Sequence, residues 1–152
     1  MIKSINNLYK KIYIYKIKKA IKKLYKYDSD LIYRNNYEVT ISCKLSQYLF
    51  RMFPKYDVDA EYNKHIDNPK ILDWTEVRPD ILIHKRWNDK DNLICIEIKK
   101  LTNSEARNKD YNKLINFTDI NKWYWYKLWV FIDFWDQEAK IIYFSDWKQL
   151  WN

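Results

Sequence analysis

Asp80 and Glu97 are separated by sixteen residues, and Lys99 follows two positions after the second carboxylate. Each acid adjoins a β-branched run, Ile81-Leu82-Ile83 in one case and Leu93-Ile94-Cys95-Ile96 in the other, with the polar stretch Arg86 to Asp91 between them. That pattern predicts a hairpin. With its loop centred between Asn88 and Asp89, Leu82 faces Cys95, His84 faces Leu93 and Asp80 faces Glu97. Two carboxylates so opposed have Cβ atoms about 5 Å apart and repel each other, so the pairing makes chemical sense with something cationic between them. Along the second strand Leu93, Cys95, Glu97 and Lys99 share one face while Ile94, Ile96 and Ile98 share the other. Both faces are mostly apolar, as in an internal strand. A carboxylate in such a run is costly unless it is paired or binds metal, and Lys99 brings a positive charge to its side.

The elements that must position these residues follow from periodicity. After the turn cluster Tyr27-Asp28-Ser29-Asp30, a helix is expected over Tyr37 to Phe53, with Val39, Cys43, Leu45, Tyr48, Leu49 and Met52 at helical spacing and Pro54 ending it. Glu38 is its first-turn acid, which suits the helix dipole and is also a candidate third metal ligand. Val58 to Tyr62 is a short strand candidate, whereas residues 63–78 are polar and broken by Pro69. Thr102 to Phe117 carries a helical stripe, Ala106, Tyr111, Leu114 and Ile115, with Ser104 able to cap it. Tyr126 to Phe134 and Ala139 to Phe144 are two further strands, and a short turn of helix is expected at the end. The order of helices and strands describes a mixed α/β domain with a central sheet. His65 and His84 with the two cysteines do not make a zinc spacing, and no Gly-rich phosphate loop exists because the chain has no Gly.

Charge divides the chain. Residues 1–27 hold nine Lys and no acid, against 19 Lys+Arg and 20 Asp+Glu in the remainder, so the net charge of +8 resides in one N-terminal segment. There Ile5, Tyr9, Ile12, Tyr13, Ile17, Ala20, Ile21 and Leu24 recur at steps of three and four, with Lys10, Lys11, Lys18, Lys19, Lys22, Lys23 and Lys26 between them. This is a basic amphipathic helix. It suits three roles: packing on the domain with a solvated Lys face, a phosphate-contacting arm, or a membrane-surface helix. Lys without Arg favours point-charge contacts that position a nucleic-acid backbone and read no sequence. Cys43 and Cys95 both sit among apolar neighbours and are expected as buried thiols of a reducing compartment. The lack of an 18-residue apolar run and of a signal-peptide pattern points to a cytoplasmic protein with no membrane span.

Arg78-Pro79-Asp80, then Glu97-Ile98-Lys99 on the next strand, after an acid-bearing helix, resembles the PD-(D/E)XK nuclease superfamily. The wider string resembles a group of small members of it, through Glu38 heading a helix that closes at Phe53-Pro54, Val58 to Asn63, Arg78 to Arg86, Asn92 to Lys100 and Asp110 to Leu114. The resemblance covers residues 28–134 and implies a restriction-endonuclease-like αβββαβ core over 28–152, with the helix of 1–27 as an addition. It implies that Asp80, Glu97 and the carbonyl of Ile98 hold Mg²⁺ or Mn²⁺, that Glu38 reaches the metal directly or through water, and that Lys99 steadies the attacking water or the developing charge. Lys113 resembles the basic residue that many members set near the scissile phosphate. The activity implied is metal-dependent hydrolysis of phosphodiester bonds, by a DNA endonuclease in restriction, repair, recombination or a phage or mobile element. Double-stranded DNA is the expected partner, contacted by Lys18, Lys19, Lys22, Lys23 and Lys100, and the protein is a candidate homodimer. The alternatives are a catalytically silent nuclease fold that binds nucleic acid or protein, and an unrelated α/β module in which Glu97 and Lys99 form a surface ion pair.

Average usage would put about 10 glycines in such a chain. It has none, and it has 8 Trp. Trp74, Trp87, Trp135, Trp147 and Trp151 each adjoin Asp or Asn, the usual company of Gly in turns. In the resembling nucleases the positions of Trp87 and Trp129 are places where Gly often occurs. Either the tryptophans are real and supply stacking surfaces for bases, or the gene uses UGA for glycine, as some bacterial lineages and their phages do. In the second case Trp87, Trp123, Trp125 and Trp129 belong in no stacking scheme.

Overall fold

The N-terminal helix α1, Ile2–Tyr27, has neither Gly nor Pro to interrupt it, and its apolar stripe decides which side is covered. Ile17, Ala20, Ile21 and Leu24 are buried, whereas Leu8, Tyr9, Ile12 and Tyr15 nearer the N-terminus remain exposed. A computed structural model describes residues 2–34, 37–65, 68–72, 75–100, 124, 126–145 and 148–150. After the single turn α2, Asp30–Tyr33, helix α3 runs Glu38–Phe50. It ends three residues before the expected Phe53, because a residue preceding proline is driven from the helical region and the chain tightens into a turn ahead of Pro54. Its buried face is Ile41, Ser42, Leu45 and Leu49. The expected stripe was thus turned partly outward: Val39 is exposed, and so is Cys43, which is not the buried thiol its neighbours suggested. Ser42 takes the inward place because its hydroxyl donates to the Val39 carbonyl at 3.0 Å, satisfying itself within the helix.

Strand β1, Asp57–Ala60, falls slightly ahead of the expected Val58 to Tyr62. The stretch expected as irregular folds into two minimal hairpins, β2, Lys64–His65, with β3, Asn68–Pro69, and β4, Ile71–Leu72, with β5, Thr75–Glu76. The main sheet then takes β6, Ile81–His84, β7, Ile94–Lys100, β8, Leu128–Phe134, and β9, Ala139–Ser145. Where a turn of helix was expected, residues Lys148–Leu150 form β10, since the open edge of β9 offers them backbone partners. The order is β1-β6-β7-β8-β9-β10, five strands of four to seven residues with the three-residue β10 at one edge. Only β7 and β8 pair in parallel, so the sheet is mixed. A parallel pair needs a crossover of a dozen residues or more. The helix expected over Thr102 to Phe117, with Ser104 and Lys113, falls in that connection and lies outside the described residues, as do Trp74, Trp123, Trp125, Trp147 and Trp151.

The β6–β7 register is the one the hairpin pattern predicts, with Leu82 opposite Cys95. Both sheet faces are covered. On one, Ile81, Ile83, Ile94, Ile96, Ile98, Leu128, Val130 and Ile132 pack in one core with the inward residues of α1 and α3. On the other, Leu82, Cys95, Trp129, Phe131 and Phe144 form a second core with Val77, Tyr124 and Tyr126. Every residue of β6 and β8 is buried, as expected of strands covered on both sides. Helix α1 belongs to the first core, which agrees with its packing role.

Candidate active site

Pro79 is buried, and it holds Arg78 extended, so the chain enters β6 straight with Asp80 at its mouth. The β6–β7 pairing runs to Ile81–Ile96, and Asp80 and Glu97 are the next residues beyond it on their two strands. A direct contact ties the two strands there: the Ile98 N–H donates to Oδ2 of Asp80 at 2.6 Å. Burial pushes the Asp80 carboxyl up to about 6, against the opposing pull of the Ile98 N–H and of Lys99, and Glu61 and Glu38 add to the rise. Glu97 is 6% exposed and points to the same side as Cys95, whose thiol burial raises well above its ordinary value. Glu97 is therefore no member of a surface ion pair.

Glu38 arrives from the first turn of α3. Its carboxylate receives Nζ of Lys99 at 3.1 Å through one oxygen and the N–H of Lys100 at 3.2 Å through the other. The helix start is thus fastened to the end of β7, and Lys99 is held against Glu38 rather than outward. Among the described residues no three His, Cys, Asp or Glu side chains gather as a metal-holding group. Glu38 is bonded to Lys99 and Lys100 at the end of β7. The donors at hand are nonetheless those a hard divalent cation takes, namely the carboxylates of Asp80 and Glu97 and the carbonyl of Ile98. A carboxyl that burial raises to about 6 is a group whose charged form a cation would favour.

Two neighbours were not read from the sequence. The parallel register sets Asp133 of β8 beside Lys99, and its side chain is 5% exposed. Glu61 follows β1, donates its N–H to the Asp80 carbonyl at 3.0 Å and pairs with Nε of Arg78 at 3.1 Å. The signal for Asp133 was an acid inside the apolar run Leu128 to Phe134; for Glu61 there was none before the strand order was known. Of the basic candidates, Lys18, Lys19 and Lys22 are exposed on α1, Lys23 is half-buried and Lys100 is 7% exposed. Lys113 lies outside the described residues.

A second cluster explains His84. It is 3% exposed, its Nε2 lies 2.9 Å from Oδ2 of Asp59, and Nε of Arg86 donates to that same oxygen at 2.8 Å. Burial alone would raise Asp59, but the bonds from His84 and Arg86 hold its carboxyl well below the usual range. These contacts fasten the edge strand β1 to β6. No family model, no curated protein and no solved structure matches this chain.

Proposed function

We propose that the protein is a metal-dependent nuclease that hydrolyses phosphodiester bonds in DNA, acting as an endonuclease. The observation that carries the reading is the bond from the Ile98 N–H to Asp80 across the strand pair that also bears Glu97 and Lys99. It aligns one carboxylate with the backbone beside the other. Asp80 through its second oxygen, Glu97 and the Ile98 carbonyl would hold Mg²⁺ or Mn²⁺. When bound, such an ion activates water and neutralises charge on the phosphoryl oxygens.

The chain's own groups then divide the remaining work. Lys99 keeps its proton at Nζ beside Glu38, where it can donate to the attacking water or to a phosphoryl oxygen as charge develops. Glu38 orients that ammonium and is fixed by the Lys100 N–H. Phe131 stands beside Glu97 in the parallel register and belongs with Leu82 and Cys95 to an apolar core, which lowers the local dielectric at that carboxylate.

Purified protein incubated with supercoiled plasmid and Mg²⁺ or Mn²⁺ tests the reading. Wild type should nick or linearise the plasmid. Asp80→Ala should lower the rate by about 10³-fold while keeping the circular dichroism of wild type. A folded wild type that binds DNA and does not cleave it would leave the silent binding module as the correct reading.

A further inference from the structure

Arg78 stands two residues before Asp80, and the chemistry above makes no use of it. Its side chain is 61% exposed, yet it is held, with Nε 3.1 Å from Oε2 of Glu61. Buried Pro79 restrains the backbone between Arg78 and Asp80, so the arginine's distance from the site is set by the chain as well as by the ion pair. Glu61 is itself fixed by its hydrogen bond to the Asp80 carbonyl. It adopts φ of 55°, a left-handed conformation that a residue with a Cβ takes only at a cost. An exposed ion pair of this kind contributes little to stability. Its effect is directional: Nε faces Glu61, and the two terminal nitrogens have no partner among the described residues. A guanidinium anchored along one edge offers parallel donors along another, the arrangement that fits phosphate oxygens.

We propose that Arg78, steadied by Glu61, binds a backbone phosphate of the nucleic acid that enters this site. The inference rests on the nuclease reading and gives that site its substrate contact.

The test measures binding of a short fluorescent duplex DNA in Ca²⁺ at a series of salt concentrations, beside plasmid cleavage in Mg²⁺. Arg78→Ala should weaken binding about tenfold and lower the slope of log K against log salt by about 0.9, one phosphate contact. Arg78→Lys should restore most of the slope and part of the affinity, because it returns the charge without the fork. Wild-type cleavage together with an unchanged slope in Arg78→Ala would overturn the assignment and leave the nuclease reading standing. A wild type that neither binds nor cleaves would overturn both.

Independently of the site, the turn between β6 and β7 bears on the genetic code. The Asn88 N–H donates to the Lys85 carbonyl at 3.3 Å, closing a four-residue turn in which Trp87 has φ of 65° and Arg86 is not among the positive-φ residues. Positive φ at the third position alone is the φ pattern of a type II turn, and that position calls for Gly. Trp87 is 64% exposed, so its ring gains little burial there. We infer that residue 87 is glycine in the protein its host makes, encoded by UGA. The codon should read UGA, and intact mass from the native host should lack the indole. UGG at this codon would overturn the inference.

Discussion

Asp80 meets two opposed demands. To hold the cation proposed above it would have to ionise, and burial makes ionisation costly, which is why its carboxyl rises to about 6. The ordinary value in an unfolded chain is about 3.9. Between those two values the folded state binds more protons than the unfolded one, so this group's contribution to stability falls as pH rises from about 4 to about 6. Asp80→Asn keeps an acceptor for the Ile98 N–H and removes the charge. Without metal it should therefore raise unfolding stability at about pH 7, by on the order of 2 kcal/mol, and the gain should vanish below about pH 4. Urea unfolding of both proteins at the two pH values measures this. Equal stability at neutral pH would mean that ionised Asp80 carries no burial cost. The four residues whose types point to the chemistry, Glu38, Asp80, Glu97 and Lys99, were legible in the sequence because three of them lie on one hairpin. Glu61 and Asp133 were not legible, since β1 beside β6 and β8 beside β7 are neighbours by topology and distant along the chain.

Among the elements, legibility followed the strength of the apolar pattern. The steps of three and four in α1, and the β-branched runs of β6 to β9, mark elements that the sheet and its two cores then bury. The phase of α3 was misread because a serine faces inward there: Ser42 bonds to its own helix and so behaves as a small core residue. The hairpins of residues 64–76 have two-residue strands and Pro69, too little chain for alternation to register. Strand β10 owes its state to the β9 edge rather than to its own propensity. The largest consequence concerns α1. Ile17, Ala20, Ile21 and Leu24 are fully or nearly buried in the core shared with α3 and the sheet, so this helix cannot be removed without opening that core. Its function has to be probed by changing charges on its outer side.

Among the described residues, the C-terminal part of α1 reaches the end of the sheet where β7 finishes. The Tyr25 hydroxyl donates to the Trp135 carbonyl at 2.6 Å, just past β8, and parallel β7 finishes beside it with Lys99 and Lys100. The C-terminal part of α1 is thereby tied to the end of the sheet that carries Lys99. Among the described residues no helix is long and apolar enough to cross a membrane. On the nuclease reading proposed above, exposed lysines on this helix would neutralise backbone phosphates of the DNA, each contact releasing counterions. Replacing Lys18, Lys19 and Lys22 together by Ala keeps the buried stripe and the Tyr25 bond, so folding should be retained. The slope of log K against log salt for duplex binding should fall by up to about 2.7, against about 0.9 for Arg78→Ala, and the cleavage rate at saturating DNA should stay near that of wild type. A charge that only solubilises the helix would leave the slope where it was. A phosphate arm acts through binding alone, so loss of the saturated rate with an unchanged slope would count against it as well.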